Sequence, residues 1–276
     1  MSDPKDFKTH ISGVFSRASS SYDRTGPRFF SHLGTKLVEF ARIPPGAQVL
    51  DVACGRGAVF VPASTAVSAT GQVIGIDISE GMIEQARSEV SVQGLANTKV
   101  LKMDAESLDF PDSSFDFILC GLCLFFFPNL DQALTGFLRV LKSGGRLAAS
   151  TFQAVEDART KRWDELDDAF KDYLKPVPTA QTKKLDSEAE IRQVLSQAGF
   201  SAIEVMPQEE TFYFNSEDEW WQTAWSYGYR GFLERMEADA IARYKKQATE
   251  LIRQEKTEQG IPDTWRLLYS KAQKPP

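Results

Sequence analysis

At 276 residues the chain is long enough for one large domain, or a core domain with a substantial cover. A formal net charge of −6 and a pI near 5.2 argue against a phosphate-reading surface, because nucleic-acid binders concentrate Lys and Arg. The three cysteines, Cys54, Cys120 and Cys123, fall within or beside apolar strands, as expected of a reduced, cytoplasmic protein.

Residues before Gln48 read as helices laid on a core: a polar stretch, then Phe29-Phe30, Leu33 and Leu37-Val38 at helical spacing. Ile43-Pro44-Pro45-Gly46 ends that segment, since Pro and Gly do not continue a helix cheaply. A short apolar strand, Val49-Leu50-Asp51-Val52, then runs into the turn Ala53-Cys54-Gly55-Arg56-Gly57. Backbone stripped of side chains lies close against a ligand, and the strand before it fixes where that ligand sits. After a helical stretch, the second strand Val73–Ile78 presents Asp77, about twenty residues beyond Gly57. Strand, loop, helix, strand and acid form a nucleoside-binding unit.

The third strand, Lys99–Met103, leads into Asp104-Ala105-Glu106. The fourth, Phe115–Gly121, is followed by a helix and by Leu141-Lys142-Ser143-Gly144-Gly145-Arg146-Leu147, a turn opening a fifth strand, Arg146–Phe152. The apolar run Phe117–Phe127 contains Gly121, stops at Pro128 and is far shorter than the ~20 residues of a membrane span. With no signal-like apolar segment at the N-terminus either, no integral membrane segment is expected. Cys120-Gly-Leu-Cys123 invites a zinc reading, but zinc wants four N/S ligands and the only histidines, His10 and His32, lie far off in sequence. No metal is expected.

A charged helical stretch, Glu156–Leu174, is halted by Pro176-Val-Pro178. The capping box Ser187…Glu190 opens a helix that ends at Gly199, and Phe200–Met206 reads as a sixth strand. A second box, Ser216…Glu219, starts a helical run to about Glu258, and Trp265–Lys271 is expected to close the sheet. Helix between the last two strands is an insertion, and insertions at strand C-terminal edges usually build substrate sites. The expected organisation is a helical cover over 1–47, a cofactor-binding core over 48–152, and over 153–276 the remaining strands with a helical lid at about 153–186 and 214–260.

Two cofactor classes use such a loop. The dinucleotide fingerprint has three glycines, whereas here Ala53 takes the first position and Phe60 stands three after Gly57. The relaxed match Ala53, Gly55, Ala58 keeps an NAD-dependent dehydrogenase open, but that reading leaves Asp104 without work. The ordered motifs Val-Leu-Asp-Val-Ala-Cys-Gly-Arg-Gly, Gly-Ile-Asp-Ile-Ser-Glu-Gly-Met, Asp-Ala-Glu, Phe-Asp-Phe-Ile and Leu-Lys-Ser-Gly-Gly-Arg-Leu resemble class I S-adenosylmethionine (SAM) methyltransferases. The resemblance is greatest to the ubiquinone/menaquinone-biosynthesis type, from about Ser21 to Thr151. It departs at Ala53 and at Arg56, where the family has small residues more often.

The resemblance implies an α/β fold: a Rossmann-like, seven-stranded, doubly wound sheet with the last strand antiparallel and helical lid insertions. It implies SAM as cofactor and a methyl transfer to carbon or oxygen of a small apolar or aromatic metabolite. Asp77 would hold the ribose hydroxyls, although a strand-end Asp also caps helices; Asp104 would face the adenine amino group and Ala105 give its backbone N–H to the ring. Ile78 and Met82 would pack on the adenine. Asp51 would orient the methionine ammonium, Ala53, Gly55 and Gly57 line that moiety, and Cys120 adjoin it. Tyr22 would lie over the methionine end and is the one candidate for a catalytic role. With no His in the strand-end segments, a Tyr, Asp or Glu serves as base, or the acceptor is already ionised or an electron-rich carbon. Phe125, Phe126, Phe127, Trp163, Trp220, Trp221 and Trp225 are expected around the acceptor. A non-methylating enzyme on this fold, such as a cyclase, or a SAM binder is the alternative, and a homodimer stays open.

Overall fold

The computed structural model describes residues 3–276, so the first two residues of the expected 1–47 cover lie outside it. Seven strands form one sheet in the order β3-β2-β1-β4-β5-β7-β6. They are β1 (Gln48–Val52), β2 (Gln72–Asp77), β3 (Thr98–Lys102), β4 (Phe115–Gly121), β5 (Leu141–Phe152), β6 (Ser201–Phe214) and β7 (Ile261–Gln273). The first five are parallel and β7 runs antiparallel to both neighbours. The strand order reverses between β1 and β4, the switch point where open α/β sheets bind ligands.

Both faces of the sheet are covered. Helices α2 (Phe29–Ala41), α3 (Phe60–Ala66) and α4 (Glu80–Val92) bury Leu33, Leu37, Phe60 and Ile83 against one face. On the other, α5 (Leu130–Val140) and α7 (Glu188–Gln197) contribute Leu134, Phe137, Ile191 and Leu195. The central parallel strands β1, β2 and β4 are mostly apolar because both of their faces are covered, whereas the edge strands β3 and β6 carry exposed polar residues.

The polar stretch at the N-terminus is a helix, α1 (Pro4–Ala18), which starts where the Asp3 carboxylate accepts the Lys5 N–H at 2.8 Å. It lies across the N-terminal end of α4. A Cβ on Gly81 would come within 2.7 Å of the Ser16 carbonyl, so only glycine permits this approach.

Three expectations about the C-terminal half need correcting. The sixth strand runs to Phe214, not Met206, pairing with β7 along its length, so Phe212, Tyr213 and Phe214 belong to the sheet. Its stretch Gln208-Glu209-Glu210-Thr211 sits on an edge and carries no apolar alternation. The run from Ser216 to Glu258 is three helices, α8 (Glu217–Ala224), α9 (Arg230–Leu233) and α10 (Ala238–Gln254), broken near Gly228 and Glu237. The fifth strand begins at Leu141, ahead of the glycine turn.

Helix α6 (Ala158–Phe170) joins α8, α9 and α10 in a separate core around Phe170, Leu233 and Tyr244. Both serines cap as expected, Ser187 accepting the Glu190 N–H and Ser216 the Glu219 N–H, while the two glutamates reach one residue further back and accept the N–H groups of Asp186 and Asn215. Among the described residues no helix is long and apolar enough to cross a membrane.

Candidate functional site at the strand C-terminal edge

A cleft of about 820 Å³ opens at the C-terminal ends of β1, β2, β3 and β4. It gathers Tyr22, Ala53, Gly55, Asp77, Ile78, Met82, Asp104, Ala105, Phe126 and Phe127, ten of the positions singled out from the sequence. All but Tyr22, which stands in the turn after α1, come from a strand's C-terminal end or from the segment that follows it.

The loop after β1 takes its shape from backbone that few residues tolerate. Ala53 sits at φ 53° and Gly55 at φ 52°. A Cβ on Gly55 would meet nothing within 4 Å, so bare backbone faces open space there. The Asp77 carboxylate accepts the Gly55 N–H at 2.9 Å and the Ser79 N–H at 2.8 Å, which pins the loop to the end of β2. Ser79 in turn caps α4 by accepting the Met82 N–H. Helix capping and a ligand-facing position therefore coexist in one short segment. Burial raises the Asp77 pKa, and the N–H groups of Ser79, Gly55 and Ile78 oppose that rise.

Asp51 is buried beneath the loop, 1% exposed, and no hydrogen bond reaches either of its carboxylate oxygens. An orphaned buried carboxylate is costly unless a donor meets it. Burial pushes its pKa well above the carboxylate range; the Phe60 backbone N–H, short of an ordinary hydrogen-bond geometry, opposes that rise, and the charge on Asp77 adds to it.

Asp104 accepts the Glu106 N–H at 2.9 Å and faces the cleft from the loop after β3. Lys8 of α1 donates to it at 2.7 Å and also pairs with Glu106. Glu106 is held from the other side by the backbone and side-chain N–H groups of Asn129, at 2.8 and 3.0 Å. Burial works against the charge on Lys8, but the hydrogen bonds from Asp104 and Glu106 outweigh it and raise its pKa. Tyr22 closes the cleft from above, its hydroxyl pushed up first by burial and then by the charges of Asp23 and Asp77. Asp23 itself accepts the N–H groups of Phe30 and Ser31, anchoring the start of α2.

Several expected positions lie elsewhere. Gly57 lines a neighbouring cavity with Arg24, Arg28 and Arg56, not the main cleft. Cys120 is fully buried in the α5 side of the core, because side chains alternate along β4; Gly121, Leu122 and Cys123 reach the cleft instead. The Cys123 thiol donates to the Val52 carbonyl, and burial raises it well above its usual range, as for Cys54. Phe125 turns away from the cleft toward Phe126 and Phe152.

Trp163, Trp220, Trp221 and Trp225 do not line the cleft. Trp163 packs on Trp220 with centroids 5.5 Å apart, Trp220 on Trp221 and Trp221 on Trp225, each at 6.1 Å. They fill the cover's own core, since α8 is a two-turn helix whose rings meet α6 and α10.

The residues missed from sequence include a whole face of α1, Lys8, Ile11, Ser12 and Phe15, all lining the cleft. Their i, i+3, i+4, i+7 spacing is one helix face, a pattern present in the sequence but diluted by polar residues. Arg56 was read only as a departure from a small residue. Its guanidinium donates to the carbonyls of Ser19 and Ser20 at 2.6 and 2.9 Å and to Glu89 at 3.2 Å, bolting the loop to the end of α1. The two histidines are remote: His32 pairs with Glu210 at 3.2 Å and meets Phe212, and neither it nor His10 lines the cleft.

Residues 50–149 match the methyltransferase domain family. An aklanonic acid methyltransferase of a Streptomyces species (strain C5) is 42% identical over 142 residues, 51% of this chain. The chain spans 64% of that relative's length. A demethylmenaquinone methyltransferase of Listeria welshimeri is 32% identical over 181 residues, covering 64% of this chain and 75% of the relative. Among solved structures, the YcgJ protein from Bacillus subtilis superposes with a TM-score of 0.60 at 22% identity, over 89% of this chain and 99% of that one, which shows a shared fold.

Proposed function

The chain belongs to the S-adenosylmethionine-dependent methyltransferases, and from that premise we propose that it methylates a carbon or oxygen of a small apolar or aromatic metabolite. One observation carries the reading: a single cleft joins Asp77, Asp104, Ala105, Ile78 and Met82 to a loop with open backbone at Gly55, above the orphaned carboxylate of Asp51. The relatives named for aklanonic acid and demethylmenaquinone support a small-molecule acceptor.

In this reading Asp77 holds the ribose hydroxyls with the acceptor capacity its two backbone hydrogen bonds leave over. Asp104 and the Ala105 N–H take the adenine edge, with Ile78 and Met82 against its faces. Asp51 receives the methionine ammonium, directly or through water, and Tyr22 covers that end. When bound, the cofactor supplies a methyl carbon on a positively charged sulfur; a lone pair on the acceptor forms the new bond and the C–S pair returns to sulfur. The chain's part is alignment and exclusion of water, because neutralising a sulfonium needs no acid on the leaving group. Residues 3–47 and the helices α6 and α8–α10 serve as the cover.

Among the described residues lining the cleft, Tyr22 is held neutral and Lys8 is a paired cation, while the carboxylates Asp104 and Glu106 are engaged by Lys8 and by N–H groups and Asp77 is given to the ribose in this reading. The acceptor therefore arrives ionised or as an electron-rich carbon, and its proton is lost to solvent. Methyl-tritiated SAM incubated with the chain and candidate acceptors tests the reading. Label in an extractable product is expected; cofactor binding with no product from any acceptor class would favour a non-methylating role.

A further inference from the structure

Seven aromatic side chains close a circuit beside the cleft. Tyr22 stacks on Phe30 with ring centroids 4.6 Å apart, Phe30 meets Trp265 at 5.6 Å, and Trp265 meets Phe152 at 5.4 Å. The circuit continues from Phe152 to Phe125 at 5.7 Å, Phe125 to Phe126 at 4.7 Å and Phe126 to Phe15 at 5.4 Å. Phe15 returns to Tyr22 at 6.2 Å. Among the described residues, no ring of the circuit is in contact with one across it.

These rings come from α1 and the turn after it, α2, the turn after β4, the end of β5 and the start of β7. Three features mark them as walls and not simply core filling. Phe152 is 39% exposed. The cofactor cleft abuts Phe15, Tyr22 and Phe126, a small cavity abuts Tyr22 and Phe30, and an open groove abuts Phe152 and Trp265. Gly121 and Leu122, at the end of β4, line both of the first two. Leu122 is held at φ 54°, a conformation a side chain rarely adopts, with its N–H given to the Ser150 carbonyl at 3.1 Å. Such strain persists where surrounding structure imposes it, and it clusters at functional sites.

We propose that this circuit is the acceptor subsite and that it selects a flat, fused-ring, conjugated acceptor, with Phe30, Phe152 and Trp265 setting the selectivity. The proposal rests on the methyltransferase reading, because the circuit shares Phe15, Tyr22 and Phe126 with the cofactor cleft. Aromatic rings favour offset-stacked and edge-to-face neighbours at centroid distances of about 4.5–7 Å, which a planar conjugated guest offers on both faces and along its rim. A saturated guest of equal size offers neither. The lid tryptophans do not line the cleft, whereas Phe30 and Trp265, which also pack on Phe29, join rings that do.

Calorimetry on the full chain saturated with S-adenosylhomocysteine tests this with 2-naphthoate and anthraquinone-2-carboxylate against decahydro-2-naphthoate. The aromatic acids are expected to bind about tenfold tighter than the saturated one. Trp265→Leu and, at the half-exposed position, Phe152→Leu should each weaken the aromatic acids about 3- to 10-fold. The affinities for the saturated acid and for S-adenosylhomocysteine should stay within about twofold, since neither depends on ring stacking. Equal binding of saturated and aromatic acids, or aromatic binding untouched by both variants, overturns the subsite while leaving the methyltransferase reading intact. Failure of the unaltered chain to bind S-adenosylhomocysteine sinks that reading and the subsite with it.

Discussion

The Asp77 carboxylate accepts the Gly55 N–H at 2.9 Å, joining the end of β2 to the loop after β1 through one side chain. The same carboxylate lines the cleft, so one side chain both positions the loop and stands in the cleft wall. Replacing Asp77 with Ala should weaken binding of SAM and S-adenosylhomocysteine alike by about 1.5–3 kcal/mol, the scale of hydrogen bonds to a charged group. Isothermal calorimetry on both ligands checks it. An unchanged affinity would reduce Asp77 to a loop brace.

Cofactor binding should release protons. Burial raises the pKa values of Asp51 and Asp77 in the free protein, so folding favours their protonated forms. Their contribution to stability is present below the ordinary carboxylate range, about pH 4, and is lost as pH rises through the raised values. A bound ammonium beside Asp51 favours the ionised form and opposes that loss. Affinity should thus climb with pH across this window, and calorimetry in buffers of different ionisation enthalpy should detect the protons released. Binding that is flat with pH and buffer would mean that neither carboxylate meets the ligand's positive charge.

Lys8 bridges Asp104 and Glu106 from α1, with its side chain 20% exposed and that of Glu106 3% exposed. Lys8→Ala leaves Glu106 with only the Asn129 donors and frees one end of α1 from the cleft. A loss of about 1–2 kcal/mol in stability is expected, below the figure for a fully buried pair because Lys8 is partly solvated. Denaturant unfolding measures it, and faster hydrogen exchange along α1 should accompany it.

Trp220→Ala and Trp221→Ala should both behave as stability variants. Each ring is partly buried among lid aromatics, so each truncation should cost about 2–3 kcal/mol, less than the ~3–5 of a fully buried ring. S-adenosylhomocysteine affinity should remain within about twofold, because the strand-end loops that line the cleft are untouched. Thermal denaturation beside calorimetry distinguishes this from a direct role at the cleft.

Neither histidine should matter to turnover. His10→Gln and His32→Gln, together, are expected to leave the rate within about twofold, and the pH dependence should follow the ionisation of whichever acceptor is used. A profile that keeps one protein-derived pKa across acceptors of different acidity would reveal a base that the cleft geometry does not suggest.

The loop Ala53–Gly57, the carboxylates at Asp77 and Asp104 and the apolar parallel strands were legible in the sequence because each is a local pattern. A strand buried on both faces must be apolar along its length, and a loop that meets a ligand with bare backbone must be small. The edge stretch Gln208–Thr211 escaped because its pairing with β7 is made by backbone, and its side chains carry no alternation.

Sequence alone determined which residues stand at the strand ends, and therefore the cleft; register and chain direction bring Asp51, Asp77 and Asp104 to the same edge once the strands form. Tertiary structure alone decided what covers them. In sequence the lid tryptophans and the rings of Phe30, Phe152 and Trp265 look alike, since an aromatic residue carries the same composition whether it fills a core or walls a cavity. The three short helices after β6 turn Trp220, Trp221 and Trp225 onto α6 and α10, while the sheet end and α2 turn Trp265, Phe152 and Phe30 toward one another. Those directions depend on helix breaks and on contacts between residues more than two hundred positions apart, such as Phe30 and Trp265, which no local spacing encodes.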